Sequence, residues 1–600
     1  MSENMRNTIL RFAVVFGIIA MLFVVVFVRI IILQTVQREK WESVVSREKN
    51  VKVRKAVRGN IFDCDGRLLA GSIPQYLIYM DTRVEALHMK DGESFWTNLD
   101  SVADGLHRII GDQSKEEYRE RIVKAYRSND GRGRIVKLSI ERVSYTQLKE
   151  INQLPLIREG LYKSGFYTED LNVRIKPFKT LSSRAIGNIF AQSGEAASGL
   201  EMRYDGYLRG KDGLDERQKV AGRWVNIPVE KAENGCDVHT TFDANMMDIC
   251  ESVLRNRLEL RKADWGCVVL MDVHTGEVKA MSNLQRAEDG TGYYEAANHS
   301  VIRLEPGSTF KTISLMAALD DGKIDMDDTV RVDSIGWWYH GAKHKDAHPM
   351  DTVYNIRQAM AASSNIALAK IVTEAYDGSA QKFVEKLVSM GLCDSVDYTI
   401  PGANQALITV PDDTVTISKM AYGYSVELSP LQVLMFYNGI ANGGKMVAPL
   451  FVKEIRKDGK VIESFETRVL KNRMCNAATL KGIKECLHDV VWDNDLGTAS
   501  VNKWGSRKAQ SDLVSIAGKT GTAQVLESGY QDKKHRMSFV GYFPEEDPQY
   551  SCICVIHGPQ WPYDSGFDCG GVVRTIAEKT MAYAGEYVVD KKELVLVVNK

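Results

Sequence analysis

A short stretch beginning at Ser308 constrains the fold most strongly, because it places a serine and a lysine one helical turn apart. Pro306-Gly307 indicates a turn before it, and the apolar run that follows ends at Gly322, a typical residue after a helix C-terminus. Residues three positions apart share one face of a helix, so Lys311 is expected directly above Ser308. Ser308 would then lie at the positive end of the helix dipole. This arrangement suits a serine nucleophile with a neighbouring base.

Two further motifs make the serine–lysine pair specific. The spacing alone is weak, because a second Ser-x-x-Lys begins at Ser46 in a charged stretch without catalytic context. Ser363-Ser364-Asn365 follows Ser308, and Lys519-Thr520-Gly521-Thr522 comes later, in an apolar run whose glycines let a ligand approach the strand backbone. In this order the motifs resemble the set of β-lactamases and penicillin-binding proteins, in which Asp is common at the middle position.

The residue types of these motifs suit acyl transfer. A serine hydroxyl is inert at neutral pH without a base, and Lys311 can act as that base only when it is neutral. Lowering the pKa of a lysine from about 10.4 to near 7 costs roughly 4–5 kcal/mol. Burial on an apolar helix and the nearby positive charge of Lys519 are expected to supply that shift.

The other polar groups of the motifs have expected roles in the same reaction. Ser363 can relay a proton, and Asn365 can hold the substrate amide. The backbone amides of Ser308 and Thr522 are expected to face the developing oxyanion, where the loss of one donor typically costs about 3 kcal/mol.

Histidines at every fourth position raise the alternative of a metal site. His340, His344 and His348 would form one face of a helix. Glycines such as Gly341 and lysines such as Lys343 lie between them and argue against both a helix and a bound cation. We therefore expect a solvated hairpin beside the cleft, with no metal and no cofactor.

Length, charge and cysteine spacing bound the whole chain. Its 600 residues are too many for one core, so at least two folded domains are expected. The net charge of −1 gives no basic excess that would indicate nucleic acid as a partner. The ten cysteines have neither zinc-site nor disulfide-framework spacing, and we interpret them mainly as core residues without assigned disulfides.

Residues 12–33 are almost wholly apolar, with Arg29 near one end. As a helix this stretch rises about 33 Å, enough to cross a bilayer. A cleaved signal peptide and a buried helix are the alternatives. The stretch is longer than a signal core and no small-x-small site follows it, so a single uncleaved anchor is favoured. Positive residues flank it on both sides, and the positive-inside rule leaves its orientation open.

The later part of the chain has strand-like runs at both ends and helices between them. Two apolar runs in 267–281 predict a hairpin. Helices are predicted after Ser308 and over 356–375 and 431–441, and strands over 514–517, 537–543 and 550–556. This pattern predicts an α+β domain built on an antiparallel sheet. From the apolar run to about residue 235 the sequence predicts short strands and helices, and it contains no recognisable set of catalytic residues.

Further segments make the chain resemble the class B penicillin-binding proteins over most of its length. Residues 58–70 resemble the first motif of that family's non-catalytic pedestal domain. Cys64 stands where an arginine is usual, so the salt bridge of that arginine is in doubt in this chain. Residues 199–210 resemble a second pedestal motif, and residues 268–281 the first transpeptidase strands. The Ser-Ser-Asn motif and Glu305 favour septal, FtsI-type members over elongation members.

The resemblance implies an organisation for the whole chain. It predicts a cytoplasmic tail over 1–11, a transmembrane helix over 12–33, a mixed pedestal of the dimerisation type over 34–235, and a penicillin-binding, β-lactamase-like transpeptidase domain over 236–600. The N-terminus would lie in the cytoplasm, and the catalytic domain outside it, on a bacterial inner membrane.

The resemblance also implies a reaction. Ser308 would attack the penultimate D-alanine carbonyl of a peptidoglycan stem peptide, and the acyl group would pass to an amine of a neighbouring stem. Lys519, Thr520 and Thr522, with Gly521 between them, would bind the terminal carboxylate. β-Lactams mimic D-Ala-D-Ala and should acylate Ser308. The expected partners are a polymerising glycosyltransferase of the shape-elongation-division-sporulation class and other divisome proteins.

The sequence is also compatible with four alternatives to septal cross-linking. An elongation-type transpeptidase would use the same chemistry, whereas a β-lactamase or a DD-carboxypeptidase would give the acyl group to water. A non-catalytic divisome scaffold would retain only the fold.

Overall fold

The computed structural model describes residues 14, 16–17, 20–29, 51–128, 134–190, 193–220, 223–392, 400, 402–410, 414–502, 504–527 and 532–585. The chain divides into two compact units, one of residues 1–58 and 209–235, the other of residues 59–208 and 236–600.

The strands are β1 Val51–Arg54, β2 Ile61–Phe62, β3 Leu68–Asp81, β4 Ile135–Lys137, β5 Val143–Ser144, β6 Phe166–Ile175, β7 Gly213–Val220, β8 Arg223–Glu230, β9 Asp237–Thr240, β10 Trp265–Asp272, β11 Val278–Arg286, β12 Tyr293–Tyr294, β13 Thr329–Val332, β14 Trp337–Tyr339, β15 Ala342–His344, β16 Thr352–Asn355, β17 Met446–Val447, β18 Val452–Lys457, β19 Lys460–Ser464, β20 Val469–Lys471, β21 Ala517–Glu527, β22 Asp532–Phe543 and β23 Tyr550–His557.

The α-helices are α1 Glu93–Ile110, α2 Lys115–Arg127, α3 Tyr145–Ile151, α4 Leu161–Ser164, α5 Ser183–Ile186, α6 Gly199–Arg203, α7 Asp205–Leu208, α8 Ala244–Arg261, α9 Phe310–Asp320, α10 Ile356–Ala361, α11 Asn365–Ala375, α12 Ala380–Ser389, α13 Thr416–Met420, α14 Pro430–Ala441, α15 Ala477–Trp492 and α16 Gly571–Ala584.

The smaller unit contains a three-stranded antiparallel sheet in the order β1-β7-β8. Exposed ion pairs join its segments, with 2.7 Å between Lys55 Nζ and Asp212 Oδ2 and 2.7 Å between Lys211 Nζ and Glu230 Oε1. Such pairs contribute little stability.

The predicted anchor can be followed only in part. Residues 20–29 are helical and exposed, whereas 12–13, 15, 18–19 and 30–33 lie outside the described residues, as does the predicted tail 1–11. In the described part of the chain we find no helix with the length and apolar character needed to cross a membrane.

A six-stranded antiparallel sheet organises the part of the larger unit that carries the motifs. Its strand order is β12-β11-β10-β23-β22-β21. β10 and β11 form the predicted hairpin, and β22 and β23 the last two predicted strands. The predicted α+β domain on an antiparallel sheet is therefore confirmed.

The strand predicted over 514–517 is wrong, because the strand begins only at Ala517. The backbone amides of Leu513 and Val514 donate to Ser511 Oγ at 3.1 and 3.4 Å, which makes this stretch a turn. Val514 and Ile516 are nevertheless buried. The apolar residues before Ala517 therefore pack in the core without forming part of the β-sheet.

Helices complete the core around this sheet. α8 and α16 pack on each other and on its strands, and α14 packs on β22 and β23. Every residue of α14 is buried, so it separates the sheet from the helices beyond. The helix predicted over 431–441 is confirmed. A separate apolar core lies under α1 and α2 in residues 78–166.

A second large sheet of the larger unit contains eight strands, with the path β19-β18-β9-β2-β3-β4 and with β5 and β6 also paired to β3. All of its pairs are antiparallel except β2 with β9.

The described cysteines are free thiols. Cys64 is exposed, and the other eight are buried, as the interpretation of most cysteines as core residues predicts.

Candidate active site

Ser308 lies in a single 3-10 turn, Gly307–Thr309, that leads directly into α9. The fully buried Tyr437 of α14 holds this turn, because its hydroxyl lies 2.7 Å from both Thr309 O and Thr312 Oγ1. The predicted helix after the serine is confirmed. A neutral buried group thus fixes the backbone that carries Ser308.

Two glycines let this turn touch strand β21. Gly307 has φ +58°, and a Cβ on it would lie 3.3 Å from Cβ of Ala523. A Cβ on Gly521 would lie 2.3 Å from Ser538 Oγ and 3.0 Å from Thr309 Cγ2. A larger residue at position 521 would require the side chains of Ser538 and Thr309 to move.

Ser363 lies between two helices rather than within one. The continuous helix predicted over 356–375 is wrong, because Ser363 has φ +53°, in the left-handed region. α10 ends at Ala361, and α11 begins at Asn365 with Ser364 as its N-cap. Non-glycine residues in this region are strained and cluster at functional sites.

The hydroxyl of Ser363 lies between two lysines from distant parts of the chain. Lys311 Nζ donates to Ser363 Oγ at 3.1 Å and to Ser363 O at 2.5 Å. Lys519 Nζ donates to the same Oγ at 2.8 Å. A hydroxyl has two acceptor lone pairs and one proton. With both lone pairs used, the Ser363 proton is free to point elsewhere in the site.

Both lysines are fully buried, and burial lowers the pKa of each. The pKa of Lys311 falls to about 7, because burial outweighs the opposing effect of the Asp346 carboxylate. The pKa of Lys519 is lowered well below its usual value by burial and by repulsion from Lys311. Burial, rather than the charge of Lys519, is therefore the main cause of the shift at Lys311.

Lys519 starts a row of polar groups along β21. Thr520 is buried, and its Oγ1 lies 2.7 Å from Thr498 Oγ1. Thr522 is exposed. The carbonyl carbon of Thr522 lies 3.5 Å from the position of a Cβ added at Gly307, so Thr522 borders the turn of Ser308.

Asn365 forms its hydrogen bonds with residues 345 and 346 rather than with the two buried lysines. Its side-chain Nδ2 donates to Lys345 O at 2.8 Å. Its backbone amide donates to Asp346 Oδ1 at 2.6 Å. Asp346 also accepts from Ser364 Oγ at 2.7 Å.

The structure thus brings three predicted side chains, Lys311, Ser363 and Lys519, into one hydrogen-bonded cluster beside the turn of Ser308. Among the residues that the structure describes, none forms a hydrogen bond with Ser308 Oγ. Catalytic hydrogen bonds often shorten only when the substrate binds, as expected of a nucleophile in the free protein.

Sequence reasoning missed three contributors to the site, Asp346, Thr498 and Tyr437. Each contacts a motif residue from a separate segment of the chain. Asp346 lies among the lysines and histidines that suggested a metal site. A helix begins at Asn365, and a helix N-terminus favours a nearby anion, so this helix start was the sequence feature that could have indicated Asp346.

The predicted hairpin beside the cleft is formed by β14 and β15. It is not uniformly solvated, because His344 is buried, with its ring nitrogens 2.8 Å from the Tyr422 hydroxyl and 3.0 Å from Ser418 Oγ. Burial, followed by repulsion from Lys419, lowers the pKa of His344.

Potential metal ligands meet at one place in the described residues, where Cys64, Asp65 and Asp243 come together. The guanidinium of Arg67 forms an ion pair with Asp65 and lies 3.8 Å from Asp243 Oδ1. A protein cation therefore already pairs with the carboxylates of this cluster.

Comparison with known proteins gives two family matches. Residues 266–582 match the model of the penicillin-binding protein transpeptidase domain. Residues 53–240 match the penicillin-binding protein dimerisation domain.

Similar proteins come from several bacteria. Stage V sporulation protein D of Bacillus subtilis is 24% identical over 92% of this chain and 82% of its own. Peptidoglycan D,D-transpeptidase FtsI of Buchnera aphidicola is 23% identical over 92% of this chain and 90% of its own. The crystal structure of penicillin-binding protein 2X from Streptococcus thermophilus superposes with a TM-score of 0.74 at 20% identity, covering 89% of this chain and 80% of that one.

Proposed function

Because the chain belongs to the penicillin-binding proteins with a transpeptidase domain, we propose that it is a peptidoglycan D,D-transpeptidase that forms an acyl-enzyme at Ser308. One observation carries this proposal: Lys311 and Lys519, both buried, share the Ser363 hydroxyl beside the turn of Ser308. A relative that covers most of the chain is named a peptidoglycan D,D-transpeptidase.

In the first half-reaction, neutral Lys311 accepts the proton of Ser308 Oγ as the oxygen bonds to the penultimate D-alanine carbonyl carbon. The C–N bond to the terminal D-alanine then breaks. The leaving amine takes its proton through the Ser363 hydroxyl, which the lysine replenishes. A base whose pKa lies near 7 is well matched to this exchange at neutral pH.

In the second half-reaction, an amine of another stem peptide attacks the ester carbonyl. The bond from Ser308 Oγ to carbon breaks, the amine loses a proton to Lys311, and the serine regains its proton. The net change replaces one amide bond with another, without an oxidant or a cofactor.

Lys519 is assigned to the terminal carboxylate of the substrate. In the free protein its burial and the nearby Lys311 disfavour its charge. A bound carboxylate would restore the protonated form, because an opposite charge stabilises it. Thr520, Gly521 and Thr522 extend this carboxylate site along β21.

The remaining assignments concern the amide and the oxyanion. We assign the backbone amides of Ser308 and Thr522 to the oxyanion, supported by the contact between the turn and β21. Asn365 is assigned to the substrate amide through the polar atoms that its bond to Lys345 leaves unused.

A fluorescent penicillin tests the nucleophile. The purified full-length chain should form a stable adduct that survives denaturing electrophoresis, and Ser308→Ala should abolish it. Ser46→Ala is the matched control, since Ser46 begins the other Ser-x-x-Lys sequence, and it should label like the wild type. An adduct that persists in Ser308→Ala would disprove the assignment.

The fate of the acyl group distinguishes the remaining reactions. With a stem-peptide donor and a D-amino acid as acceptor, a transpeptidase forms the exchanged product, whereas a carboxypeptidase releases only D-alanine. Rapid loss of the penicillin adduct would instead indicate a β-lactamase. We expect exchange and a long-lived adduct.

We further propose that the chain acts in septal wall synthesis, with an anchor at 12–33, a pedestal at 34–235 and the catalytic domain at 236–600 outside the cytoplasm. The Ser363-Ser364-Asn365 motif and the relatives named peptidoglycan D,D-transpeptidase FtsI and stage V sporulation protein D support this role. Depletion should give filamentous cells, whereas rounded cells would indicate elongation. Deletion of residues 12–33 should release the protein from the membrane fraction.

A further inference from the structure

Asp346 bonds to the segment that carries Ser363 through both of its carboxylate oxygens. Oδ1 accepts from the backbone amides of Asn365 at 2.6 Å and Ile366 at 3.0 Å. Oδ2 accepts from Ser364 Oγ at 2.7 Å. Three donors from the start of α11 therefore converge on this one carboxylate.

These bonds determine where Ser363 can lie. The segment enters α11 immediately after a residue with φ +53°, a conformation that needs support from its surroundings. Asp346 supports it from the α11 side, and Lys311 holds its carbonyl and hydroxyl from the other. The hydroxyl shared by the lysines therefore depends on a carboxylate outside the three motifs.

Two ionisable side chains face Lys311 in the described structure. Lys519 faces it from β21, and Asp346 from the segment after β15. The group between them is the neutral hydroxyl of Ser363. Tyr354 is buried on β16, and its pKa is raised by burial and, to a smaller extent, by the charge of Asp346.

We propose that Asp346 is a positioning residue for acylation, whose carboxylate fixes the turn that carries Ser363 and so the hydroxyl that the two lysines share. Its charge has a second role at Lys311. This inference rests on the proposed function. The Asp346 carboxylate raises the pKa of Lys311 against the larger lowering by burial, which keeps it at about 7. Without this carboxylate, the base would remain neutral at lower pH but would also be a weaker base.

Asparagine and alanine at position 346 separate the two roles. Asp346→Asn keeps a carbonyl oxygen for the amides of Asn365 and Ile366 but removes the charge. The midpoint of the rise in penicillin acylation rate with pH should move down by about half a pH unit or more. Asp346→Ala removes the hydrogen bonds as well, and acylation at pH 8 should fall by about 100-fold.

Asp351→Asn is the matched control. Asp351 lies on the same segment, is exposed, and accepts from Ser334 N at 2.7 Å and Ser334 Oγ at 2.9 Å. Its variant loses the same charge and should leave both rate and midpoint unchanged.

The outcomes are distinct. A midpoint that stays in place or rises in Asp346→Asn overturns the electrostatic role, and wild-type acylation in Asp346→Ala overturns the positioning role. A purely structural residue would lower the rate without moving the midpoint. If the wild-type chain is not acylated at Ser308, the proposed function itself fails, whereas normal wild-type acylation with unchanged Asp346 variants defeats only this inference.

Discussion

Two clusters of basic side chains in the larger unit differ in their partners. Asp568 is fully buried, and Arg257 Nη1 and Arg261 Nε lie 3.1 and 2.7 Å from its Oδ1. Lys311 and Lys519 are also fully buried, but they share a serine hydroxyl, and neither forms an ion pair with a described residue.

This difference separates a structural cluster from a reactive one. A guanidinium remains charged in proteins, and the carboxylate of Asp568 compensates the burial of both arginines. A lysine without a buried counter-ion gives up its proton instead. The lysine cluster can therefore accept a proton from a hydroxyl, and a bound ligand carboxylate would favour protonation of a lysine in it.

The largest effect is expected from Lys311→Met. Methionine fills the same space without a base, so the rate of acylation by penicillin should fall by about 1000-fold, within the range of general-base contributions. The midpoint of thermal unfolding should fall little, because no ion pair is lost. The exposed Lys382 provides the control, and Lys382→Met should be acylated at the wild-type rate. Acylation within tenfold of wild type would assign the base to another group.

Asp568→Asn should show the opposite pattern. It leaves two half-buried guanidinium groups without their buried counter-ion, which costs about 3 kcal/mol. Urea unfolding monitored by tryptophan fluorescence would measure this loss. The exposed pair of Lys382 and Asp377, 3.2 Å apart, supplies the control. Asp377→Asn should cost less than about 1 kcal/mol. Equal costs for the two variants would remove the distinction between the clusters.

The pH dependence of stability should also distinguish the clusters. The pKa of Lys311 is about 7 in the folded chain, and about 10.4 is usual for an unfolded one. Between these values the unfolded state binds a proton that the native state lacks, so stability rises with pH. Wild type should gain roughly 2 kcal/mol over Lys311→Met between pH 7.5 and 9. A constant difference in unfolding free energy would show that Lys311 is charged in the native state.

A neutral buried hydrogen bond should give the smallest effect. Tyr437→Phe removes the hydroxyl that contacts Thr309 O and Thr312 Oγ1, and should lower the free energy of unfolding by about 1 kcal/mol. The loss should not change between pH 6 and 9, since no charge is involved. Tyr162 is 79% exposed, and Tyr162→Phe should leave stability unchanged. A pH-dependent loss in Tyr437→Phe would mean that it acts through the lysines.

Local patterns predicted the elements that surround the site more reliably than its interior. The turn at Gly307, the helix after Ser308 and the strands β22 and β23 follow from residue periodicity and glycine placement. The break at Ser363 did not, because the apolar spacing of 356–375 continues through it. That break is supported by bonds to Lys311, Lys519 and Asp346, which are distant in sequence.

The three motifs, their order and the spacing of Ser308 and Lys311 are properties of the sequence alone, because they depend only on residue identity and position. The tertiary structure decided that burial lowers the pKa of Lys519 as well as that of Lys311, that Ser363 lies between them, and that Asp346 supports this turn. Proton affinity depends on burial and on charges brought close by folding, and no pattern within one segment specifies either.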